Sequence, residues 1–174
     1  MNLILTMKKL FLFALLCMVF SAGFAQQEVI RESNGEKIIK GFMSKEDVSK
    51  DTAFTWYMAN QKGYTPDANA LTSLKAKKDS VYILAFGGTW CDDTRNILPK
   101  FYNLTEAAGF PDNRITLIGV DRSKKTFNHL TETFNVNNVP TIIVFKNGKE
   151  VGRVVEYGKY GLFDKELGEI LSKN

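Results

Sequence analysis

The sequence predicts an α/β protein of three layers, with helices on both faces of a central mixed sheet and an α-rich amino-terminal extension. Two observations support this fold class. From residue 81 onward, short apolar runs of strand length alternate with helix-forming segments, which predicts parallel strands joined by helical crossovers. The last two runs flank Asn147-Gly148, a turn sequence that predicts an antiparallel hairpin at the edge of the sheet.

The first 25 residues have the pattern of a secretory signal peptide. Lys8 and Lys9 precede an apolar stretch from Leu10 to Phe20, and small residues surround a cleavage point after Ala25. A retained membrane anchor is the alternative, although the apolar stretch is shorter than the roughly 20 residues that a membrane-spanning helix needs. We therefore expect an exported protein, periplasmic or extracellular, with no membrane contact after cleavage.

The composition is that of an ordinary globular domain, with 44% hydrophobic and 24% charged residues in a chain of 174. Cleavage would remove Lys8 and Lys9, so the net charge would fall from +4 to +2. Because this excess of positive charge is small, no nucleic-acid partner is expected. Cleavage would also remove Cys17 and leave Cys91 as the only cysteine, so no disulfide could form within the mature chain.

Two segments precede the alternating region. Residues 26–36 are polar and without periodicity, and we expect a flexible lead there. Residues 37–78 form the predicted extension. Its expected elements are a short edge strand at 37–42, a helix from Ser44 to Gln61 before Gly63, and a second helix that Thr65-Pro66-Asp67 begins.

Residues 79–174 form the predicted main domain. Its expected elements are a strand at 81–86, a helix at 91–108 with Pro99 as a kink, a strand at 115–120, a helix at 123–134, a strand at 141–145, a strand at 150–156 and a helix at 162–171. The first three strands are continuous apolar runs, as expected for strands that are covered on both faces.

Four landmarks in this order resemble the thioredoxin superfamily: Trp90-Cys91 at a strand-to-helix junction, Pro99 eight residues after the cysteine, Val139-Pro140-Thr141 before a strand, and Phe145-Lys146-Asn147-Gly148 at that strand's end. The resemblance covers about residues 75–172 and is nearest to exported bacterial thioredoxin-like proteins whose site reads Gly-Thr-Trp-Cys followed by acids. It implies a thioredoxin-like fold and a cis peptide bond before Pro140, placed beside Cys91. The backbone there would pair with an extended peptide or a small thiol.

The sequence departs from the dithiol members of that superfamily at three positions. The resemblance places the second cysteine of Cys-x-x-Cys at Thr94, the buried acid of the proton relay at Ala85, and its lysine neighbour at Leu117. A threonine hydroxyl could hydrogen-bond to a sulfur anion but cannot attack a mixed disulfide. The remaining chemistry needs one thiol: attack on a partner disulfide, capture of a small thiol, or oxidation to a sulfenic acid.

The candidate site residues fall into three groups: catalytic, Cys91 and Thr94; substrate-binding, Trp90, Val139 and Pro140; and flanking, Asp92, Asp93 and Arg95. The start of a helix favours a thiolate, the two aspartates disfavour it, and Arg95 would restore part of the effect. A purely structural role for Cys91, as a small apolar residue, stays open.

Two main functions remain open. One is a monothiol thiol-disulfide oxidoreductase acting on protein or small-thiol partners. The other is a redox-inactive binding or scaffold module that holds a peptide between Trp90, Val139 and Pro140. A third, weaker hypothesis is that the aromatic residues of segment 37–78 form an interaction surface. No cofactor is expected and no metal site, since Cys91 and His129 are 38 positions apart and lack ligand spacing. The sequence makes no prediction of oligomeric state.

Overall fold

The computed structural model describes Met7 and residues 27–174, so the predicted leader lies outside the described residues except for Met7. The elements in chain order are β1 (Gln27–Arg31), β2 (Lys37–Met43), α1 (Lys45–Ser49), α2 (Trp56–Gln61), α3 (Ala68–Lys77), β3 (Val81–Gly87), α4 (Asp92–Ala107), β4 (Ile115–Gly119), α5 (Leu130–Thr133), β5 (Thr141–Lys146), β6 (Lys149–Val155) and α6 (Phe163–Lys173). Short 3₁₀ turns occupy Thr52–Phe54, Asp112–Arg114 and Phe127–His129. None of the described helices combines the length and the apolarity that a membrane crossing requires.

The sheet in the described part of the chain has six strands in the order β1-β2-β4-β3-β5-β6. Strands β3 and β4 are parallel, and all other neighbouring pairs are antiparallel. The predicted mixed α/β fold is therefore confirmed, with both the parallel crossover pair and the antiparallel hairpin of β5 and β6 in place.

An apolar cluster covers each face of the sheet. The larger cluster lies between the sheet and helices α1, α2, α3, α4 and α6, and Phe101, Leu104 and Leu167 are completely buried in it. The smaller cluster lies on the other face, under α5 and the chain that follows it. Its buried residues are Phe86, Ile118, Val120, Val136, Val139 and Ile143, and Trp90 and Cys91 pack against them. The cysteine therefore lies at the margin of the smaller core.

The flexible lead expected at 26–36 is wrong for residues 27–31, which form β1 and pair antiparallel with β2. Most β1 side chains are exposed, so the sequence shows no apolar alternation there, although each residue of β1 has a partner in β2. The expected strand at 37–42 is present as β2. It was expected at the sheet edge, but it lies inside, between β1 and β4.

The single helix expected from Ser44 to Gln61 is broken into α1, a 3₁₀ turn and α2. Ser44 and Asp47 form the predicted capping box with both of its hydrogen bonds. The break follows at Asp51, whose side chain accepts the backbone N–H of Ala53 at 2.9 Å and so replaces a helical hydrogen bond. In the next helix Asp67, the last residue of Thr65-Pro66-Asp67, is the N-cap residue.

The helix expected at 123–134 is mostly absent, and only α5 is α-helical. Asn128 and His129 adopt left-handed backbone angles, with φ of 54° and 53°, which interrupt any continuous helix. Leu130 and Phe134 still pack against the smaller apolar cluster, which accounts for the apolar spacing in the sequence. Helix α4, by contrast, has almost the predicted bounds and contains Pro99.

Candidate functional site

Cys91 lies at the junction between β3 and α4. It is the N-cap residue of this 16-residue helix and has extended backbone angles, φ −87° and ψ 125°. Its N–H donates to the carbonyl of Gly88 at 2.9 Å, and its own carbonyl accepts the N–H of Arg95 at 2.9 Å. These two hydrogen bonds fix the sulfur-bearing residue at the positive end of α4.

Trp90 forms one wall beside Cys91 and is partly buried. Its indole Nε1–H donates to the carbonyl of Val120 at 3.0 Å, and the guanidinium of Arg122 lies 5.5 Å from the ring centroid. A Cβ on Gly88 would lie 2.7 Å from the indole Nε1. The glycine at 88 therefore allows the tryptophan ring to fold back against the chain.

Val139 and Pro140 lie on the other side of the thiol. The peptide bond between them is cis. The Cys91 thiol donates to the Val139 carbonyl oxygen, with 3.2 Å between sulfur and oxygen. The Pro140 carbonyl in turn accepts the N–H of Glu156 at 2.7 Å, so the end of β6 packs against this loop. The structure thus brings Cys91 together with Trp90, Val139 and Pro140, the three residues of the expected groove.

Thr94 is completely buried one turn along α4. Its hydroxyl accepts the backbone N–H of Gly88 at 3.2 Å. Among the hydrogen bonds of the described residues, none joins Thr94 to Cys91. Thr94 therefore supports the turn that precedes the cysteine, and the expected contact with the sulfur is not part of this geometry.

The three flanking residues have different surroundings. The Asp92 side chain is 94% exposed, and its Oδ1 lies 3.5 Å from Arg95. Asp93 lies near Tyr157: burial chiefly, and then the Asp93 carboxylate, raise the pKa of Tyr157 above its ordinary value. Arg95 donates from Nε to the carbonyl of Thr89 at 2.8 Å and forms an ion pair with Glu36.

An ion-pair network links the site to the amino-terminal hairpin. Glu36 lies in the connection between β1 and β2 and pairs with both Arg95 and Arg122. Glu32 pairs with Arg122 at 2.7 Å. Arg122 in turn covers the Trp90 ring. The two arginines nearest the thiol region thus already have carboxylate partners from the hairpin.

Two of these residues were missed from the sequence. Tyr157 is the second residue after β6, and its only local signal is the Tyr-Gly pair with Gly158, whose φ of +71° permits the turn. Glu36 lay in a polar stretch with no local signal at all. Both reach the site through the tertiary fold and not through sequence spacing.

One thiol supplies the chemistry of this site. In the described part of the chain, Cys91 is the free cysteine, and no group of three His, Cys, Asp or Glu side chains is arranged to hold a metal ion. The arrangement offers a sulfur nucleophile at a helix start, an aromatic wall, and a backbone carbonyl beside the sulfur. This set suits attack of the thiolate on a disulfide.

Comparisons with known proteins place this site within a matched region. The sequence model of the family described as Thioredoxin matches residues 66–165. A thioredoxin of Chlamydia pneumoniae is 38% identical over 93 residues, which span 53% of this chain and 80% of the relative. A thioredoxin of Staphylococcus haemolyticus is 35% identical over 100 residues, spanning 56% and 85%. Among solved structures, reduced Schistosoma mansoni thioredoxin pre-protein is 24% identical, spans 63% of this chain and 93% of its own, and has a TM-score of 0.40.

Proposed function

Because the chain belongs to the thioredoxin family, we propose that it is an exported monothiol protein that exchanges disulfides with protein or small-thiol partners through Cys91. The observation that supports this most directly is the position of the thiol. It lies at the first turn of α4, with its sulfur 3.2 Å from the Val139 carbonyl oxygen and beside Pro140. The leader pattern supports the export part of the proposal.

The exchange proceeds in two steps. The Cys91 thiolate attacks one sulfur of a partner disulfide, an S–S bond forms to Cys91, and the other partner sulfur leaves as a thiolate and takes up a proton. Thr94 carries no sulfur and cannot break the new bond. An external thiol must therefore attack the mixed disulfide and release Cys91 in its reduced form.

The groove would hold the partner while this happens. Trp90 offers a ring face on one side of the sulfur, and the chain at Val139 and Pro140 lies on the other. A peptide that lies between them in an extended conformation would present its disulfide to Cys91.

The test uses the mature chain beginning at Gln26, incubated at neutral pH with glutathione disulfide and with an oxidised model peptide. Intact mass spectrometry should find one adduct per chain, and Cys91→Ser should carry none. Absence of any adduct on the unaltered chain would disprove the exchange. Fractionation of cells expressing the full chain, with amino-terminal sequencing, should find Gln26 as the first residue outside the cytoplasm.

A redox-inactive binding module is the second candidate. The observation that favours it is the burial of Thr94 and its hydrogen bond to Gly88, which make a stable turn without any redox partner. The groove formed by Trp90, Val139 and Pro140 would then hold peptides without covalent chemistry. This candidate expects Cys91→Ser to bind an immobilised peptide without cysteine as tightly as the unaltered chain does. The exchange function expects Cys91→Ser to lose the capture of a disulfide-bearing partner that the unaltered chain retains.

A further inference from the structure

We propose that a cleft beside the thiol site receives an apolar or aromatic side chain from the polypeptide whose disulfide Cys91 attacks; the inference rests on the proposed function. We call it the tyrosine cleft, and its volume is about 340 Å³. It lies between the extension, α4 and the loop that joins β6 to α6. The residues that shape it are Tyr64, Asn96, Lys100, Tyr157, Leu162 and Phe163.

The polar groups on the floor of the tyrosine cleft are already hydrogen-bonded within the protein. Asp164, which is 6% exposed, accepts the Tyr64 hydroxyl at 2.7 Å and the backbone N–H of Asp67 at 3.0 Å. Asp67 caps α3 by accepting the N–H of Ala70. An apolar side chain that enters the cleft therefore leaves no floor group without a partner, which avoids the main cost of covering polar atoms.

Tyr64, Tyr157, Leu162 and Phe163 give the cleft an aromatic and aliphatic part. Tyr64 and Phe163 stack with their ring centroids 6.2 Å apart and form one wall of the cleft. Tyr157 and Leu162 remain 37% and 56% exposed at the rim, although both are large hydrophobic residues. An apolar occupant would cover this surface, and the removal of the surface from water would favour binding.

The cleft is continuous with the thiol site, which indicates that its occupant belongs to the disulfide-bearing molecule. Tyr157, which lines the cleft, is a neighbour of Asp93, two residues after Cys91: burial chiefly, and then this carboxylate, raise the pKa of Tyr157. Asn96 and Lys100 follow Cys91 by five and nine positions on α4, a span of roughly 8–14 Å along the helix. An extended peptide covers that span in roughly two to four residues. The side chain in the cleft thus lies two to four positions from the partner's cysteine.

Charge complementarity adds a second feature of the partner. The Asp92 carboxylate is 94% exposed beside the thiol, and its contact with Arg95 is long at 3.5 Å. Asp93 lies near Tyr157 and forms no ion pair among the described residues. A basic residue next to the partner's cysteine would meet these two carboxylates. The partner is therefore a polypeptide with a basic residue next to its cysteine and an apolar residue two to four positions from that cysteine.

The experiment uses alanine-based synthetic peptides with one cysteine, blocked as a mixed disulfide with thionitrobenzoate, and one lysine next to it. In each peptide a single phenylalanine stands two, three or four positions before or after the cysteine. Cys91 attacks the peptide sulfur, the new S–S bond forms, and the coloured thionitrobenzoate thiolate leaves. The rate of its release is measured for the unaltered chain, for Leu162→Asp and for Met58→Asp, a matched variant of an exposed apolar residue on α2.

One phenylalanine position should raise the second-order rate constant roughly fivefold or more above the peptide without phenylalanine. Leu162→Asp should abolish this advantage and leave the peptide without phenylalanine unaffected, and Met58→Asp should change neither. Equal rates for all peptides would overturn the inference while the exchange function stands. Release from no peptide at all would remove both the exchange function and the inference. An advantage that survives Leu162→Asp would assign the phenylalanine to another surface and also overturn the inference.

Discussion

Ala85 and Leu117 lie opposite each other on the neighbouring parallel strands β3 and β4, and each is 2% exposed. These are the two positions at which the resemblance places the acid and the lysine of a dithiol site. Here both side chains belong to the larger apolar cluster. Apolar side chains therefore surround both positions, and the site has no acid and no lysine for a buried proton relay there.

Ala85→Asp should lower the free energy of unfolding by about 3 kcal/mol or more, because a carboxylate would be buried among apolar side chains without a partner. Urea unfolding followed by tryptophan fluorescence measures the loss. Tyr82→Asp is the matched control on the same strand, since Tyr82 is 54% exposed. It should cost less than about 1 kcal/mol. Losses of equal size in the two variants would contradict the packing described here.

Thr94→Cys should shorten the lifetime of a Cys91 mixed disulfide, because it supplies the missing resolving thiol one helical turn away. The substitution removes the hydrogen bond to Gly88 and should therefore cost about 1 kcal/mol of stability. The decay of a Cys91–glutathione adduct, followed by mass spectrometry without added thiol, gives the lifetime. Thr94→Ser keeps a hydroxyl and should behave as the unaltered chain. A Thr94→Cys adduct that persists equally long would refute the prediction.

Glu36→Gln should increase the rate at which a neutral reagent such as iodoacetamide alkylates Cys91, about twofold at low salt. The reason is that Arg95 and Arg122 would lose a carboxylate partner and leave uncompensated positive charge near the thiolate. The increase should shrink at high salt, where charges are screened. Glu32→Gln is the matched control, because it leaves the pair between Glu36 and Arg95 intact. Identical alkylation rates for Glu36→Gln and the unaltered chain at low salt would contradict this effect of the ion pairs on Cys91.

Asp121 should contribute stability that depends on pH. Burial opposes its ionisation, but Lys40 at 2.8 Å and the backbone N–H groups of Ser123 and Lys125 outweigh this and hold the pKa of Asp121 below its ordinary value of 3.8. A carboxyl group with a lowered pKa stabilises the fold above its unfolded-state pKa and loses that contribution as the pH falls.

The difference in unfolding free energy between the unaltered chain and Asp121→Asn should therefore be complete near neutral pH and shrink below about pH 4. Urea titrations at a series of pH values from neutral to acid test this. Lys40→Met should weaken the same pH dependence, because it removes the charged partner. A difference that stays constant over the whole range would show that Asp121 titrates no differently in the folded and unfolded chains.

The parts of the fold that the sequence predicts are those that bury apolar side chains. Strands β3 and β5 are continuous apolar runs because helices or loops cover both of their faces. Strand β1 was missed because its pairing with β2 involves backbone groups that leave no mark on side-chain polarity. The segment at 123–134 has apolar residues at helical spacing, yet Asn128 and His129 take left-handed angles that spacing alone does not reveal.

The residues of the site likewise fall into some that the sequence predicts and others that it does not. Trp90 and Cys91 could be identified because a strand, a glycine pair and a helix start meet there in sequence. Their contacts with Val139 and Pro140 followed from the resemblance to a known family. Tyr157 and Glu36 approach the cysteine only after the chain has folded, from positions 66 residues later and 55 residues earlier. No local pattern encodes such contacts.

The hairpin of β1 and β2 also limits how far the chain can be shortened from its amino-terminal side. Residues Gly41 to Met43 of β2 pair with Leu117 to Gly119 of β4, and the family match begins only at residue 66. A fragment trimmed to that match would leave the outer edge of β4 with unpaired N–H and C=O groups. Strands of other molecules could pair with this exposed edge. In the protein the hairpin covers this edge of β4. The shortest fragment that stays monodisperse should begin at β1, well before the family resemblance does.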